Sequence, residues 1–358
     1  MNKKVLIIGP SPLKSKGGMA TVIEEIEKDK KLKELYDIDI FESYIDGNKI
    51  KVIIYSIFAF LKFMLMKKNY DIYHIHAASR GSTFRKGWYV NYLKKHGAKV
   101  IFHIHGAEYI EFFNEISKRK KNKVINILKK ADMVLALSQE WKKKFDNMFG
   151  LTNCYVLENG IDQERLMSAF NSNIKKNQTS FVALGRLGER KGTYDIIEAV
   201  KLIISKVPDI RCYLAGDGEI DKVKSLIHKY QLENNVIVSG WVNFEKKLDL
   251  LKKSGTVLLP SYNEGLPMSV LEGMACGKAI ISSMVGAIPE VVGRNNGILV
   301  EPGDIKALAI AMEYCCKDTE LMKKFSKNNI KKIQENFSMV RMHKILSEYY
   351  GRLQEGKV

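Results

Sequence analysis

Two glutamates stand eight positions apart in a glycine-containing segment of the second half of the chain. The segment at 254–277 reads SGTVLLPSYNEGLPMSVLEGMACG and carries Glu264 and Glu272. An apolar strand precedes Glu264, and Pro267 suits the first turn of a helix that contains Glu272. Free backbone amides at a helix start attract anions. The segment therefore predicts two carboxylates beside an anion-binding helix start, although an E-x7-E spacing alone is common by chance.

A similar helix start is predicted near the N-terminus. The segment at 5–26, VLIIGPSPLKSKGGMATVIEEI, reads as strand, loop and helix, with Lys16, Gly17 and Gly18 in the loop. Glycines let the backbone approach a ligand closely, and the helix offers its N-terminus to phosphate. An ordinary turn between a strand and a helix is the alternative interpretation.

Two further strands are predicted to end in pairs of histidines. His74 and His76 lie in IYHIHAAS, and His103 and His105 lie in IFHIHGAE. Alternate residues of a strand share a face, so each pair projects from one side of its strand. We expect His103, which sits deeper in its strand than His105, to be a buried core histidine. For His76, nearer its strand end than His74, a ligand-facing role and a structural role are equal alternatives.

Short runs of Val, Ile and Leu alternate with longer amphipathic stretches along most of the chain. Continuous apolar strands separated by helices are typical of a parallel sheet covered on both faces. The sequence thus predicts a doubly wound α/β architecture, with ligands bound beyond the carboxyl ends of the strands. The predicted strands are Val5–Ile8, Ile72–His76, Val100–His105, Met133–Leu137, Phe181–Leu184, Arg211–Ala215, Val236–Val238, Thr256–Leu259 and Ala279–Ser282.

The strand–loop–helix pattern begins twice, once at the N-terminus and again at Phe181, which predicts two similar lobes. The polar stretch 170–180, FNSNIKKNQTS, has no apolar period and is the predicted linker. We expect an N-terminal lobe at 1–170, a C-terminal lobe at 171–337, and a final helix at 338–358 that packs back towards the N-terminal lobe.

Composition limits the class of protein. Of 358 residues, 46% are hydrophobic and 27% charged, with 7 Pro, which excludes a disordered or collagen-like chain. The five cysteines form no C-x-x-C pair, so neither a zinc site nor a disulfide framework is predicted. No segment resembles a signal peptide, and the longest apolar run, 52–66, is shorter than a membrane span. A cytoplasmic location is therefore expected.

The charge is unevenly distributed. Lys and Arg number 58 against 40 Asp and Glu, and residues 51–130 alone carry 17 basic and 4 acidic residues. Such a field favours an anionic partner, which is a nucleotide, a phospholipid surface or a nucleic acid.

The segment NEGLPMSVLEGMACG resembles the E-x7-E signature of the retaining glycosyltransferases of family 4, which have the GT-B fold of two Rossmann-like lobes facing across a deep cleft. Other segments resemble this family in the same order along the chain, and the similarity covers essentially all of it. These segments are KGGMATVIEEI, DIYHIHAAS, FHIHGAE, LENGID, VALGRLGERKG, LAGDGE, VSGWV and GAIPEVV. The resemblance implies a retaining hexosyltransferase of the bacterial capsular or exopolysaccharide type, with a nucleotide-sugar donor.

Two cations match positions that bind the donor diphosphate in this family. They are Arg186 and Lys191, in GRLGERKG at 185–192. Negative charge grows on the diphosphate as the glycosidic bond breaks, and preorganised cations stabilise it. The family uses no metal, and no D-x-D motif lies in a matching loop, so we expect neither a metal nor a cofactor. Surface charge on a loop is the alternative, and the neighbouring Arg190 is expected to be solvated.

The resemblance also assigns the remaining site residues. His105 matches the histidine that contacts the donor sugar, Glu264 lies beside that sugar, and Glu272 bonds the ribose hydroxyls. The implied catalytic residues are thus His105, Glu264, Arg186 and Lys191. The implied donor-binding residues are Gly17, Gly18, Gly185, Arg186, Lys191, Gly216, Glu264, Gly265, Leu266 and Glu272. His76 and Arg80 are assigned to the acceptor side.

Retention leaves two mechanisms open. A double displacement needs a carboxylate as nucleophile, for which Glu264 is the close candidate. A front-face displacement instead passes the acceptor proton to the leaving phosphate oxygen. We favour the front-face route because the family assigns Glu264 to sugar binding.

The N-terminal lobe holds the acceptor in this family, and here it is the basic lobe. Each base near an anionic leaflet contributes about 1 kcal/mol of attraction, and the apolar run 52–66 adds a surface for insertion. We expect a glycan acceptor linked to lipid diphosphate, and peripheral contact with the inner face of an anionic cell membrane. A buried helix beside solvated charges is the alternative.

Two other classes of function stay open. Another GT-B enzyme, such as a sugar-nucleotide epimerase or a phosphorylase, is the first, but no lysine-anchored pyridoxal site is assignable. A basic nucleic-acid-binding protein is the second, but no helix-turn-helix, RNP-like strand or finger pattern is recognisable. We therefore expect no nucleic acid partner, and we expect UDP as the donor nucleotide.

Overall fold

The computed structural model describes residues 3–15, 17–66, 68–168 and 177–357. The chain forms two compact units, which are Met1–Gly160 together with Met339–Val358, and Ile161–Ser338. The predicted boundary at 170/171 and the first part of the predicted linker lie outside the described residues, as do Lys16 and Lys67.

The second unit begins before the predicted boundary. The backbone N–H of Ile161 donates to the carbonyl of Phe337 over 2.8 Å. The side chain of Gln163 donates to the carbonyl of Ala275. These bonds tie the residues just after Gly160 to the second unit, which places the boundary at Gly160.

In the first unit, six parallel strands form one sheet in the order β2-β1-β3-β4-β5-β6. The strands are β1 (Lys3–Pro10), β2 (Tyr36–Tyr44), β3 (Ile72–Ala77), β4 (Lys99–Ile104), β5 (Met133–Ala136) and β6 (Cys154–Val156). The helices are α1 (Gly18–Lys28), α2 (Lys30–Leu35), α3 (Lys49–Met64), α4 (Gly81–Lys95), α5 (Tyr109–Glu115), α6 (Lys118–Lys130) and α7 (Gln139–Phe149). All six residues of β3 are buried. Because successive strand residues point to opposite faces, both faces of the sheet are covered.

The final helix of the chain belongs to this first unit. It is α16 (Met339–Glu355). The ring of Tyr350, fully buried, meets Tyr36 edge to face with centroids 5.1 Å apart. Tyr349 donates its hydroxyl to the carbonyl of Val156 over 2.7 Å. The last segment of the chain therefore completes the core of the unit in which the chain begins.

In the second unit, six parallel strands form a sheet in the order β12-β11-β10-β7-β8-β9. The strands are β7 (Asn177–Leu184), β8 (Arg211–Ala215), β9 (Val236–Gly240), β10 (Ser254–Leu259), β11 (Ala279–Ser283) and β12 (Gly297–Val300). The helices are α8 (Gln163–Ser168), α9 (Thr193–Ile203), α10 (Ile220–Lys229), α11 (Phe244–Lys253), α12 (Met268–Ala275), α13 (Ile288–Val291), α14 (Ile305–Lys317) and α15 (Thr319–Asn336), with a 3₁₀ turn at Glu189–Lys191. Side chains of α9 and α14 join the strands in one core.

The predicted doubly wound α/β architecture is confirmed, with one Rossmann-like sheet in each unit. All nine predicted strands are present, but β2, β6 and β12 were not predicted. Each of these three lies at the edge of its sheet and has one neighbouring strand. The strand β2, YDIDIFESY, alternates polar and apolar residues because part of it faces solvent, so it lacks the continuous apolar run of a central strand.

Candidate functional site

Three loops meet at the carboxyl edge of the second sheet. They follow β7, β8 and β10, which are neighbours in the order β10-β7-β8. The N–H of Leu187 donates to the carbonyl of Asp217 over 2.6 Å, and the N–H of Tyr262 donates to the carbonyl of Arg190 over 2.9 Å. The loop after β7 is thus bonded to the loops on both sides of it. This is the edge at which open parallel sheets bind ligands.

Glu264 lies in the loop after β10, and its side chain is almost fully buried. The ammonium Nζ of Lys191 lies 2.5 Å from its Oε1, and the hydroxyl of Ser261 donates to the same oxygen over 2.8 Å. A buried carboxylate is stable only when it is paired and hydrogen-bonded, and both conditions hold here. The structure therefore brings together two predicted site residues, Lys191 and Glu264.

Arg190 also belongs to this cluster, whereas the sequence predicted a solvated side chain. Its Nη1 donates to the carbonyl of Asn263 over 3.0 Å and lies 4.0 Å from Oε1 of Glu264. The arginine thus supports the loop that carries the glutamate, although 40% of its side chain is exposed, so the predicted solvation holds in part and the contact itself was missed. No sequence pattern marked this contact because 73 residues separate the two partners.

Close backbone approaches explain two glycines of these loops. A Cβ atom on Gly216 would lie 1.7 Å from the carbonyl oxygen of Gly185, so the loops after β7 and β8 pack backbone to backbone. Gly286 adopts φ 55°, and a Cβ there would lie 1.8 Å from the carbonyl oxygen of Glu264. Any larger residue at either position would displace a neighbouring loop. Gly185 itself borders Lys191, since its Cβ position lies 3.6 Å from Cε of that lysine.

Arg186 stands apart from the Lys191–Glu264 pair. Its side chain is exposed at the loop after β7, beside the loop after β8. The pKa of Glu219 is lowered, first by hydrogen bonds from Lys222 and Tyr194 and to a smaller extent by the charge of Arg186. The guanidinium therefore lies near Glu219 in this structure, at the mouth of the same loop cluster.

Glu272 lies within α12 and is buried, with one ion pair. Its Oε1 lies 2.5 Å from Nζ of Lys247, which projects from α11. Pro267 is the residue just before α12, and the backbones of Gly265 and Leu266 are buried at this helix start. Lys247 was missed in the sequence because nothing in the spacing of two separate helices indicates that they pack together.

In the first unit, the four histidines form one cluster. The strands β3 and β4 are parallel neighbours with His76 opposite His103 in the register. Nδ1 of His76 lies 2.9 Å from Nε2 of His105, and Nε2 of His74 lies 3.3 Å from Nδ1 of His103. The hydroxyl of Tyr350 lies 2.9 Å from Nδ1 of His74 and closes the cluster on the side of α16.

Burial holds these imidazoles neutral. It lowers the pKa of His74 and of His105 from 6.5 to about 3, and it lowers the pKa of His76 and His103 well below 6.5. His105 alone of the four is partly exposed, while His103 is buried as predicted. His76 is fully buried and contacts His105, which favours the structural one of its two predicted alternatives; its assignment to the acceptor side stays a prediction.

Three of these imidazoles have the arrangement of a metal-binding group. In the part of the chain that the structure describes, His74, His76 and His103 are the group of side chains that offers ring nitrogens within 4.8 Å of one another. Nε2 of His76 and Nε2 of His103 are buried and have no hydrogen-bond partner among the described residues. Neutral imidazole suits zinc and similar ions. The expectation of a metal-free reaction therefore stays a prediction.

The remaining predicted residues lie in loops at the carboxyl edge of the first sheet. Gly17 is exposed with φ 126° and precedes α1, which begins at Gly18. Arg80 precedes α4 and has φ 57° and ψ −129°, a backbone conformation that costs a non-glycine residue energy. Its guanidinium Nη1 donates to Glu115 over 2.7 Å, and its Nε donates to Glu108 over 3.4 Å. Arg80 is thus held beside the loop that follows His105.

Comparison with known proteins gives a consistent result. Residues 21–165 match the model of "Glycosyltransferase Family 4", and residues 165–332 match that of "Glycosyl transferases group 1". A Methanocaldococcus jannaschii protein named as an uncharacterized glycosyltransferase is 29% identical, over 99% of this chain and 100% of the relative. The Escherichia coli UDP-Gal:alpha-D-GlcNAc-diphosphoundecaprenol alpha-1,3-galactosyltransferase is 28% identical, over 80% of this chain and 76% of the relative.

Among solved structures, Anabaena HepE in complex with UDP-glucose superimposes with a TM-score of 0.77 at 20% identity, over 97% of this chain and 99% of HepE. This likeness concerns the fold. Two glycosyltransferase models therefore match successive parts of the chain, residues 21–165 and 165–332, and the chain is a glycosyltransferase with the GT-B fold.

Proposed function

We propose that this protein is a retaining, metal-independent glycosyltransferase that moves a hexosyl unit from UDP-sugar to a glycan linked to lipid diphosphate. The proposed pathway is the synthesis of a cell-surface polysaccharide. The observation that carries the proposal is the buried Lys191–Glu264 pair, held by Ser261 at the carboxyl edge of the second sheet.

The donor assignment rests on charge and on two similar proteins. A UDP-sugar carries a diphosphate, and Lys191, Arg186 and the start of α12 supply positive potential at one sheet edge. HepE is seen with UDP-glucose, and the name of the E. coli relative states a UDP-Gal donor. UDP is therefore the nucleotide we propose for this chain.

In the proposed reaction, Lys191 changes partner when the donor binds. Its ammonium lies 2.5 Å from Glu264 here, and the incoming diphosphate competes for the same cation. Glu264 then accepts hydrogen bonds from the sugar hydroxyls, and Glu272 accepts them from the ribose. A carboxylate released from its cation is a stronger hydrogen-bond acceptor, so donor binding prepares the sugar site.

The proposed bond changes occur on one face of the sugar. The acceptor oxygen forms a bond to the anomeric carbon as the bond from that carbon to the β-phosphate oxygen breaks. The acceptor hydroxyl passes its proton to the departing phosphate oxygen, and Lys191 and Arg186 stabilise the charge that develops there. His105 is neutral at pH 7, so in this proposal it bonds the sugar without adding charge.

The acceptor assignment rests on the E. coli relative, whose name states an acceptor linked to diphosphoundecaprenol. The first unit also presents a basic and apolar surface, described below. Among the described residues, no helix has the length and apolar character to cross a membrane. We propose peripheral contact with the inner face of the cell membrane, where such an acceptor is embedded.

Transfer assays test this proposal. The protein is incubated with UDP-galactose, UDP-glucose or UDP-N-acetylglucosamine and an undecaprenyl-diphosphate-linked N-acetylglucosamine, with and without EDTA. The expected result is one product with an α linkage, formed equally well in EDTA and lost in Glu264→Ala. Transfer from none of the donors, a β-linked product, or activity abolished by EDTA would contradict the proposal.

A further inference from the structure

The outward face of α3 in the first unit is apolar along its whole length. Six large apolar side chains of α3, together with Leu65 just after its last residue, are between 47% and 81% exposed. They are Ile50, Ile53, Ile54, Ile57, Phe58, Leu61 and Leu65. At 3.6 residues per turn they fall within an arc of about 140° of the helix circumference. Contiguous exposed apolar surface of this kind marks an interaction site in a folded protein.

The inward face of the same helix is already packed. Phe63 is buried and meets Phe41 and Tyr89 with ring centroids 5.4 and 5.0 Å away. Tyr55 donates its hydroxyl to the carbonyl of Glu42. The helix is therefore anchored by one face to the sheet of its own unit, and the apolar stripe is an additional surface that the core does not use.

Lysines border this stripe on both sides. On the helical projection, Lys49 falls at one edge of the apolar arc, and Lys51 and Lys62 fall at the other. Residues 47–70 contain five lysines and no acidic residue. An apolar face bounded by lysines, whose long side chains reach outwards, fits the boundary between acyl chains and anionic headgroups.

We infer that α3 is an in-plane membrane anchor, which inserts its apolar stripe into a leaflet containing anionic lipid. The helix is about 24 Å long, which suits a position along the membrane surface and is too short to span it. Trp88, partly exposed on α4, lies 5.8 Å from Phe60 of α3 and supplies an aromatic residue suited to the headgroup region.

The anchor begins at the same edge of the first sheet as His105. Strand β2 ends at Tyr44 and α3 begins at Lys49, so the helix starts at the sheet edge that also carries His105. This inference deepens the proposed function and rests on it for one point, which is that the acceptor itself is held in the leaflet. Membrane binding through α3 is testable without any reaction.

The test compares two triple variants in vesicle co-sedimentation. The first, Ile54→Glu/Phe58→Glu/Leu61→Glu, charges the stripe. The matched control, Leu202→Glu/Ile310→Glu/Val340→Glu, charges side chains of similar exposure elsewhere. The wild type and the control are expected to bind vesicles of phosphatidylcholine with phosphatidylglycerol. The stripe variant is expected to bind at least about 10-fold more weakly, since it loses apolar insertion and gains repulsion.

The charge contribution is measured on the same vesicles. Replacing Lys49, Lys51 and Lys62 by Gln is expected to weaken binding by about five-fold per lysine, and pure phosphatidylcholine vesicles are expected to bind the wild type poorly. Absence of wild-type binding, or equal binding by the stripe variant, overturns the inference. A third outcome also overturns the inference. If the wild type binds no vesicles but forms dimers in sedimentation velocity, and the stripe variant does not form them, the partner of the stripe is a second copy of the chain.

A UDP thermal-shift measurement separates this inference from the proposed function. A stripe variant that no longer binds vesicles but keeps the wild-type response to UDP assigns membrane contact to α3 alone. If the wild type binds vesicles, the stripe variant does not, and no nucleotide stabilises the wild type, then the membrane anchor is supported and the proposed donor chemistry is contradicted.

Discussion

Lys191 and Glu264 join the loops after β7 and β10 through a contact of 2.5 Å between Nζ and Oε1, across 73 residues of sequence. The lysine side chain is 17% exposed and the glutamate side chain 6%. A charge pair this enclosed is costly to break from one side, because the remaining charge has lost both water and its partner. The pair therefore links the stability of the second unit to the arrangement of its candidate donor site.

Removing the lysine charge is expected to destabilise the second unit. Lys191→Met leaves the buried Glu264 with the guanidinium of Arg190 at 4.0 Å in place of an ammonium at 2.5 Å, which we expect to cost about 2 kcal/mol, or about 4–8 °C in Tm. The exposed pair of Lys222 with Glu219 provides the control, and Lys222→Met is expected to change the Tm little, because an exposed ion pair contributes little to stability. Differential scanning calorimetry measures both. Equal effects of the two substitutions would mean that the Lys191–Glu264 pair stabilises the second unit no more than an exposed pair does.

The coupling of the pair is accessible to a double-mutant cycle. Lys191→Met/Glu264→Gln removes both charges and leaves neither one unpaired. The double variant is therefore expected to lose about 1–3 kcal/mol less stability than the sum of the two single losses. Transfer activity does not recover with stability, since both substitutions remove groups that face the donor in the proposed reaction. Additive stabilities within about 0.3 kcal/mol would show that the contact is energetically unimportant.

Ribose recognition by Glu272 is tested by changing both protein and ligand. Wild-type protein is expected to bind UDP about 10–100-fold more tightly than 2′,3′-dideoxy-UDP, because each hydroxyl donates to a buried carboxylate. In Glu272→Gln the two ligands are expected to differ by less than about 3-fold. Titration calorimetry measures the four affinities. Unchanged discrimination in the variant would place the ribose elsewhere.

Stability is expected to fall in acid through the histidine cluster. The folded-state pKa of His74 is lowered to about 3, against 6.5 in the unfolded chain. Between these values the unfolded chain binds a proton that the folded chain does not bind. The contribution of His74 to the free energy of unfolding is thus greatest above pH 6.5. Below pH 6.5 the free energy of unfolding falls by up to about 1.4 kcal/mol per pH unit for this group.

Urea unfolding at pH 7, 6 and 5 checks this slope. His74→Gln is expected to flatten the decline, whereas His228→Gln, at a highly exposed histidine, is expected to leave the decline unchanged. The slope is the readout, because His74→Gln also alters the contact with Tyr350 and shifts stability at every pH. A wild-type stability that is constant from pH 7 to 5 would contradict the burial of the cluster.

The backbone of Arg80 gives a prediction that opposes ordinary propensity. At φ 57° and ψ −129°, glycine is favoured over any residue that has a Cβ. Arg80→Gly and Arg80→Ala lose the same exposed ion pairs, yet the glycine variant is expected to be more stable by about 1 kcal/mol. Paired thermal unfolding measures the difference. An alanine variant of equal or greater stability would mean that the backbone is not strained there.

The sequence predicted the central strands and missed three edge strands for one physical reason. A central strand such as β10 is buried on both faces and reads as an apolar run. The edge strand β2 faces solvent in part, and β6 and β12 are only three and four residues long. Their positions depend on the strand beside which they pair, and local composition does not encode that partner.

The candidate site was also predicted only in part. Glu264 and Lys191 were predicted because family resemblance marks them, and their mutual contact fits the parallel order of β7 and β10. Ser261, Arg190 and Lys247 were not predicted as partners of the two glutamates. Their roles depend on side-chain directions at loops and between helices, which spacing along the chain does not specify.

Donor binding at Lys191 without a metal is tested by a thermal-shift panel with UDP, GDP and ADP, each with and without EDTA, on wild type and Lys191→Ala. A ligand at 100 times its Kd adds about 2.7 kcal/mol of stability. We expect UDP to stabilise the wild type, EDTA to leave this shift unchanged, and Lys191→Ala to reduce it. No shift with UDP, or a shift that EDTA removes while Lys191→Ala retains it, would contradict a metal-free donor site at Lys191 and Glu264.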